Sequence, residues 1–331
     1  MATMYVTEQG ARIEKEYRRI LVTKDDVVLM RVPLVRISHI VLVGRVGVTT
    51  PALLALLRAE VGLSLIGQTG RLRGRLMPPT GKNIPRRHAQ YAKAQNPAVC
   101  LEIARAIGGG KLCNQRTMAR RICRNHPEID EASIQALDEA EEAVETAASL
   151  AELRGLEGRG ARAYFQILRQ AIPNTWGLAR RARRPPPDPA NALLSLGYTL
   201  LGQNMITAAE IVGLDPYDGF FHADKHGRPA LALDLVEEFR SIIADSVMLT
   251  LINKDMLTLD DFRPGPEGGV YLKPKALKTF FRQYGKRIHT RVTHPVVKHR
   301  LTYQQCFEVQ ARLLSKVIEE KRPTYEPFLT R

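Results

Sequence analysis

Gly67-Gln-Thr-Gly-Arg-Leu-Arg-Gly-Arg-Leu-Met-Pro-Pro-Thr-Gly-Lys-Asn-Ile-Pro85 separates two unlike halves of this chain. Glycine and proline punctuate the stretch, and Arg71, Arg73, Arg75, Lys82, Arg86 and Arg87 charge it, as at the end of one domain and the start of a basic linker. Upstream, Ile13–Val22, Val27–Val32, Ile37–Val43 and Leu63–Ile66 are short, rich in Val and Ile, and bordered by Asp, Gly or Pro, the pattern of strands. Thr50-Pro51 offers an N-cap and a first-turn proline for one helix over Ala52–Glu60. Downstream the apolar period becomes helical over Pro97–Ile107, Gln115–Arg124, Ile134–Leu153, Gly160–Gln170, Pro189–Val212, Leu233–Ile252 and Tyr303–Glu320. The expected fold class is α+β: a small N-terminal β-rich domain with its basic linker over residues 1–85, then a larger all-α domain over 86–331.

Lys and Arg number 49 against 34 Asp and Glu, a net charge of +15. That excess points to a polyanion, nucleic acid before membrane, since no basic amphipathic anchor sits beside a long apolar run. The most apolar stretch, Ala192–Leu201, is too short to span a bilayer. Cys100, Cys113, Cys123 and Cys306 show no metal-site or redox spacing, and no secretory signal opens the chain. They read as reduced thiols of a cytoplasmic protein.

Three places carry candidate chemistry. Glu157 lies in Gly155-Leu-Glu-Gly-Arg-Gly-Ala-Arg-Ala-Tyr-Phe165, where flanking glycines leave a carboxylate unshielded. A helix start would favour an acid there for its dipole alone. His222 closes Leu214-Asp-Pro-Tyr-Asp-Gly-Phe-Phe-His222, where two phenylalanines would fix an imidazole able to ligate a metal or carry a proton. His226 follows four residues later, but no cysteine or third histidine completes a zinc site. Asp234 and Glu237 stand three apart in Leu233-Asp-Leu-Val-Glu-Glu-Phe-Arg240, on one face of a helix that is otherwise largely apolar. Such acids need a cation, and Arg228 or Arg240 is the plain alternative to a metal. Carboxylates with one imidazole suit Mg²⁺ or Mn²⁺.

With Arg183-Arg-Pro-Pro-Pro-Asp-Pro-Ala-Asn-Ala-Leu-Leu-Ser-Leu-Gly-Tyr-Thr-Leu-Leu201, these segments resemble, in order and separation, the CRISPR-associated adaptation integrase family. The resemblance implies a metal-dependent DNA endonuclease that joins the 3′-hydroxyl ends of prespacer DNA into a CRISPR array. It places the metal-binding triad on Glu157, His222 and Glu237, with Asp234 as a further candidate ligand. Some family members carry Asp where this chain has Glu237. It also implies a homodimer joined largely through the β domains and a heterocomplex with a small second adaptation protein. Double-stranded prespacer and leader–repeat DNA would lie across that assembly. Arg180, Arg181, Arg183 and Arg184, the run from Lys273 to Arg287, and Lys225 and Arg240 near the site are the expected phosphate contacts. The rival readings are a structure-specific Mg²⁺ nuclease, a DNA-binding scaffold without catalysis, and an RNA-processing enzyme. The segment after Glu320 has two prolines that argue against a long helix, and reads as loose or partner-docking.

Overall fold

A computed structural model describes residues 2–67, 70, 72–77, 83–129, 131–182, 185–223 and 225–330. Arg71, Lys82, Arg183 and Arg184 therefore lie outside the described residues. The N-terminal region holds β1 (Ala2–Val6), β2 (Arg12–Glu16), β3 (Arg19–Lys24), β4 (Val27–Pro33), β5 (Ile37–Val43), β6 (Gly47–Val48), α1 (Thr50–Arg58), β7 (Gly62–Ile66) and β8 (Leu72–Leu76). They form two four-stranded sheets, in the orders β1-β5-β7-β8 and β4-β3-β2-β6. The run Ile13–Val22 is a hairpin rather than one strand: Glu16 pairs with Arg19 across Tyr17-Arg18. Tyr17 holds a left-handed φ of 50°. Hairpin turns of two residues ordinarily carry Gly or Asn, so nothing in the sequence marked this one.

Ile13, Ile20, Ile40, Leu42, Leu63 and the α1 residues Ala52 and Leu56 close one core between the sheets. Val41, Val43 and Ile66 point the other way and join the core of the helices. Successive side chains of a strand face opposite sides, and β5 is covered on both, so its sequence is an almost unbroken apolar run. Tyr5 of β1 extends the junction by stacking on Phe281, ring centroids 5.3 Å apart.

The helical region comprises α2 (Ile84–Ala94), α3 (Pro97–Asn125), α4 (Glu131–Thr146), α5 (Leu150–Gln170), α6 (Pro189–Val212), α7 (Ala230–Glu237), α8 (Ser246–Asn253), α9 (Pro274–Ile288) and α10 (Tyr303–Ile318). Small hairpins, β9 (Phe262–Pro264) with β10 (Val270–Leu272) and β11 (Arg291–Thr293) with β12 (Arg300–Thr302), flank α9. Expected boundaries move in three places. Gly108–Gly110 does not break α3, which runs through 29 residues. Ile134–Leu153 is two helices, because Ser149 caps α5 by accepting the Glu152 amide. Leu233–Ile252 is interrupted by a π-helical turn, Arg240–Asp245. Among the described residues no helix is long and apolar enough to cross a membrane, and no disulfide links the four cysteines.

Candidate active site

The loop between α6 and α7 wraps around one carboxylate. Asp234 is fully buried, and its Oδ2 accepts the amides of Phe220 at 2.7 Å and Phe221 at 3.0 Å. Its Oδ1 accepts the His222 amide at 2.9 Å and His222 Nδ1 at 2.7 Å. The approach is close enough to require glycine at 219, where a Cβ would stand 2.8 Å from Oδ2. Arg154 of α5 holds the outer side of the loop by donating to the Phe221 carbonyl from Nε at 3.1 Å and Nη2 at 2.6 Å. With four donors on two oxygens, Asp234 has no lone pair aimed outward. It leaves the set of possible metal ligands and becomes the residue that aims one. A carboxylate only accepts, so Nδ1 carries the proton and Nε2 keeps its lone pair, as in metal-ligating histidines backed by an acid.

That Nε2 lies 3.5 Å from Glu237 Oε1, at the end of α7. Glu157 reaches the same place from the third turn of α5, well past the N-cap, so the dipole of a helix start does not account for it. Gly155 and Gly158 are helical, with open space beside them. Between the two carboxylates sits Lys111 of α3, a residue the sequence did not single out. Its ammonium pairs with Glu157 Oε1 and stands 2.7 Å from Glu237 Oε2, with only 5% of the side chain exposed. Arg240 adds a contact of 2.9 Å to Glu237 Oε1, so the arginine partner weighed for these acids is real. Burial alone would raise the Glu237 carboxyl, but Arg240 and Lys111 together hold it well below the usual carboxylate range.

Behind this centre, the guanidinium groups of Arg240 and Arg181 lie over the ring of Tyr198, at 5.0 and 5.2 Å. The Tyr198 hydroxyl donates to Asp245 Oδ1 at 2.6 Å, and Tyr164 donates to Oδ2 at 2.9 Å. Burial pushes the Asp245 carboxyl up to about 6. A cavity of about 490 Å³ opens from the site, with Lys111, Glu157, Arg162, Arg180, Tyr198 and Arg240 in its wall. Of the expected phosphate contacts, Arg180 and Lys225 are exposed. Arg181 instead donates to Asn191 Oδ1 at 2.8 Å, and Arg240 is committed to Glu237. On α9, Lys275, Lys278, Arg282 and Lys286 are exposed, while Arg287 donates to the Ile242 carbonyl at 2.8 Å.

Among the described residues, no group of three or more His, Cys, Asp or Glu lies ready to hold a metal ion. The cation facing both acids is Lys111. The donors themselves suit a divalent ion: two carboxylates, and an imidazole whose free nitrogen points at one of them. Glu237 Oε2 is buried and, although near Lys111, makes no well-directed hydrogen bond.

Residues 4–286 match the family model described as CRISPR associated protein Cas1. The chain belongs to the Cas1 family. It is 40% identical to a CRISPR-associated endonuclease Cas1 of Thermus thermophilus, over all of this chain and 98% of that one. Its fold is similar to that of a casposase bound to its integration product, with a TM-score of 0.86 at 22% identity over 98% of this chain and 93% of the casposase. A second neighbour is a Cas6-RT-Cas1–Cas2 complex, with a TM-score of 0.84 at 24% identity over all of this chain and 36% of the larger one. The strand-rich first part and helical remainder are thus the fold of this family, and its named members are endonucleases.

Proposed function

We propose that this protein is the strand-joining enzyme of CRISPR spacer acquisition, dependent on Mg²⁺ or Mn²⁺. The 3′-hydroxyl of a prespacer attacks a phosphodiester at the leader–repeat boundary; a new phosphodiester forms, and the old one leaves as a 3′-hydroxyl. Water in place of that hydroxyl makes the same centre an endonuclease. The observation that carries the reading is the convergence of Glu157 and Glu237 on one cationic position, with His222 Nε2 beside it, at the wall of an arginine-lined cavity. Glu157, His222 and Glu237 would hold the ion. When bound, it supplies charge neutralisation at the scissile phosphate and makes the attacking hydroxyl more acidic.

The chain's own residues do the rest. Asp234 fixes the His222 tautomer and aims Nε2. Lys111 and Arg240 keep Glu237 anionic. Arg162 and Arg180 present guanidinium groups to DNA phosphates at the cavity wall. Homodimers form through the N-terminal region, where β4 exposes Val27, Val28, Leu29 and Met30, an apolar edge strand that needs a cover. The likeness to the Cas1–Cas2 complex and to the casposase bound to its integration product supports a small second adaptation protein and double-stranded DNA as partners; the same reading has the protein act in the cytoplasm. The division into domains at residue 85 belongs to the same reading.

The test is strand joining of 3′-hydroxyl DNA into a supercoiled array plasmid, with and without the small partner, in Mg²⁺, Mn²⁺ or chelator. Joined product is expected only with metal and is abolished in Glu157→Ala. Product in chelator, or an unchanged rate in that variant with DNA binding intact, overturns the proposal. Cleavage without joining moves the protein to the class of structure-specific nucleases.

A further inference from the structure

The segment after α10 is not loose: it packs on the chain's own helices. Tyr325 and Phe328 are buried at 5% and 2% exposure, and Phe328 packs on Phe239, centroids 4.9 Å apart. Its polar contacts go to Gln310 of α10, which donates to the Tyr325 hydroxyl at 2.8 Å, and to two residues adjoining the catalytic centre. Asn114 stands one helical turn after Lys111 on α3, and Glu238 directly follows Glu237.

Asn114 is a four-bond junction. Its Nδ2 donates to the Glu238 carbonyl at 2.9 Å and the Phe328 carbonyl at 2.6 Å. Its Oδ1 accepts the Thr330 amide at 2.8 Å and the Thr330 hydroxyl at 3.0 Å. Glu238 Oε2 accepts the Phe328 amide at 2.7 Å and Gln310 Nε2 at 2.8 Å, while Oε1 accepts the Tyr325 hydroxyl. All the hydrogen-bonding capacity of Asn114, and both oxygens of Glu238, are spent on joining this strap to α3 and to the end of α7. The strap also lies flat against α3. A Cβ at Gly110 would stand 2.5 Å from Pro327 Cβ, a rigid ring that cannot swing aside.

From this arrangement we infer that residues 325–330 are a strap that sets the separation of Lys111 from Glu237, with Asn114 and Glu238 as its positioning residues. The inference rests on the proposed function for its catalytic consequence, but not for its mechanics. Neither Asn114 nor Glu238 faces the cavity, so both act through their neighbours. A loose strap lets α3 and the α7 terminus drift, and misplacement by about 1 Å at a reacting centre costs on the order of a hundredfold in rate.

Gly110→Ala tests this without touching any site side chain. Alanine is the better helix former, so α3 itself is favoured while its methyl group displaces Pro327. The expected result is a fall in the maximal joining rate of about tenfold or more, with the KM for DNA unchanged. Amide exchange at residues 235–240 should become faster. Adding Pro327→Gly, which removes the opposing Cβ, should restore both readouts; Pro327→Ala, which keeps it, should not. A wild-type rate and wild-type exchange in G110A, or no recovery in G110A/P327G, overturns the strap. If G110A folds too poorly to assay, Tyr325→Phe removes only the hydroxyl that donates to Glu238 and accepts from Gln310, and should lose about fivefold in rate; no loss there overturns the inference too. A wild-type protein that neither joins nor cuts DNA defeats the proposed function alone, and the exchange arm still decides on the strap.

Discussion

Asp234→Asn is nearly isosteric, yet it strikes a carboxylate that accepts four hydrogen bonds. Both oxygens of Asp234 accept two N–H donors, at 2.7 to 3.0 Å, and no water reaches them. Asparagine must turn an NH₂ toward one of the two pairs. If it faces Phe220 and Phe221, two amides lose their acceptor and the loop lifts. If it faces His222, Nδ1 must become the acceptor, its proton moves to Nε2, and the imidazole no longer offers a lone pair toward Glu237. Bonds to a charged acceptor contribute about 1.5–3 kcal/mol each, so two of them amount to about 3–6 kcal/mol, less what the loop recovers by shifting outward. If half of that reaches the reacting geometry, the rate falls by about 10- to 100-fold, at 1.36 kcal/mol per tenfold. Strand joining in saturating Mn²⁺ measures the loss, DNA affinity measured separately should hold, and long-range ¹⁵N–¹H spectra report the His222 tautomer. Joining within threefold of wild type, with Nδ1 still protonated, would refute the role assigned to Asp234.

Lys111→Met keeps the aliphatic stem and removes the charge between two acids. In chelator it should destabilise the fold by about 3 kcal/mol, the low end for breaking a buried ion pair because Glu237 retains Arg240. Mn²⁺ should then raise its melting temperature more than it raises that of wild type, and an equal shift in both proteins would count against a shared cation position. His39, buried with Nε2 2.8 Å from the Ser64 hydroxyl, has its pKa lowered to about 4 by burial and by nearby Arg75. The unfolded chain takes up that proton first, so stability is full above pH 6.5 and falls as pH drops toward 4, by up to about 3 kcal/mol. Urea unfolding of His39→Gln should show a shallower loss between pH 7 and 5 than wild type; parallel curves would remove His39 as the cause. Leu29→Glu, on the exposed strand β4, should convert the proposed homodimer into a species of 37.1 kDa by light scattering, and an unchanged mass would overturn β4 as the dimer contact.

Much of the architecture was legible because burial leaves a periodic trace. The apolar run of β5 and the three- and four-residue spacing of α6 are direct consequences of what covers them. In α9 the lysines and arginines mask the helical period in the sequence. Its Leu277, Phe280, Phe281, Tyr284 and Ile288 do carry the apolar stripe. Glu157 and His222 stand out as candidates because an acid among glycines and an imidazole beside phenylalanines are locally unusual, and Glu237 because it stands three residues from Asp234 on an apolar segment; only the family resemblance groups the three. Lys111 could not: it is one lysine in a basic chain, 46 residues from Glu157 and closer to no motif, and only the packing of α3 against α5 brings them together. The work of Asp234 was hidden for another reason. Its partners are mostly backbone amides, which have no signature in a sequence.

Strand β5 bears on how the molecule can be taken apart. Ile40 and Leu42 complete one apolar interior, while Val41 and Val43 complete another. A fragment beginning near residue 86 would therefore bare the patch those valines and Ile66 cover, and should be sticky or molten rather than a working half. Heating ought to melt both regions in a single cooperative step, because neither can lose this shared plank and keep its own interior dry.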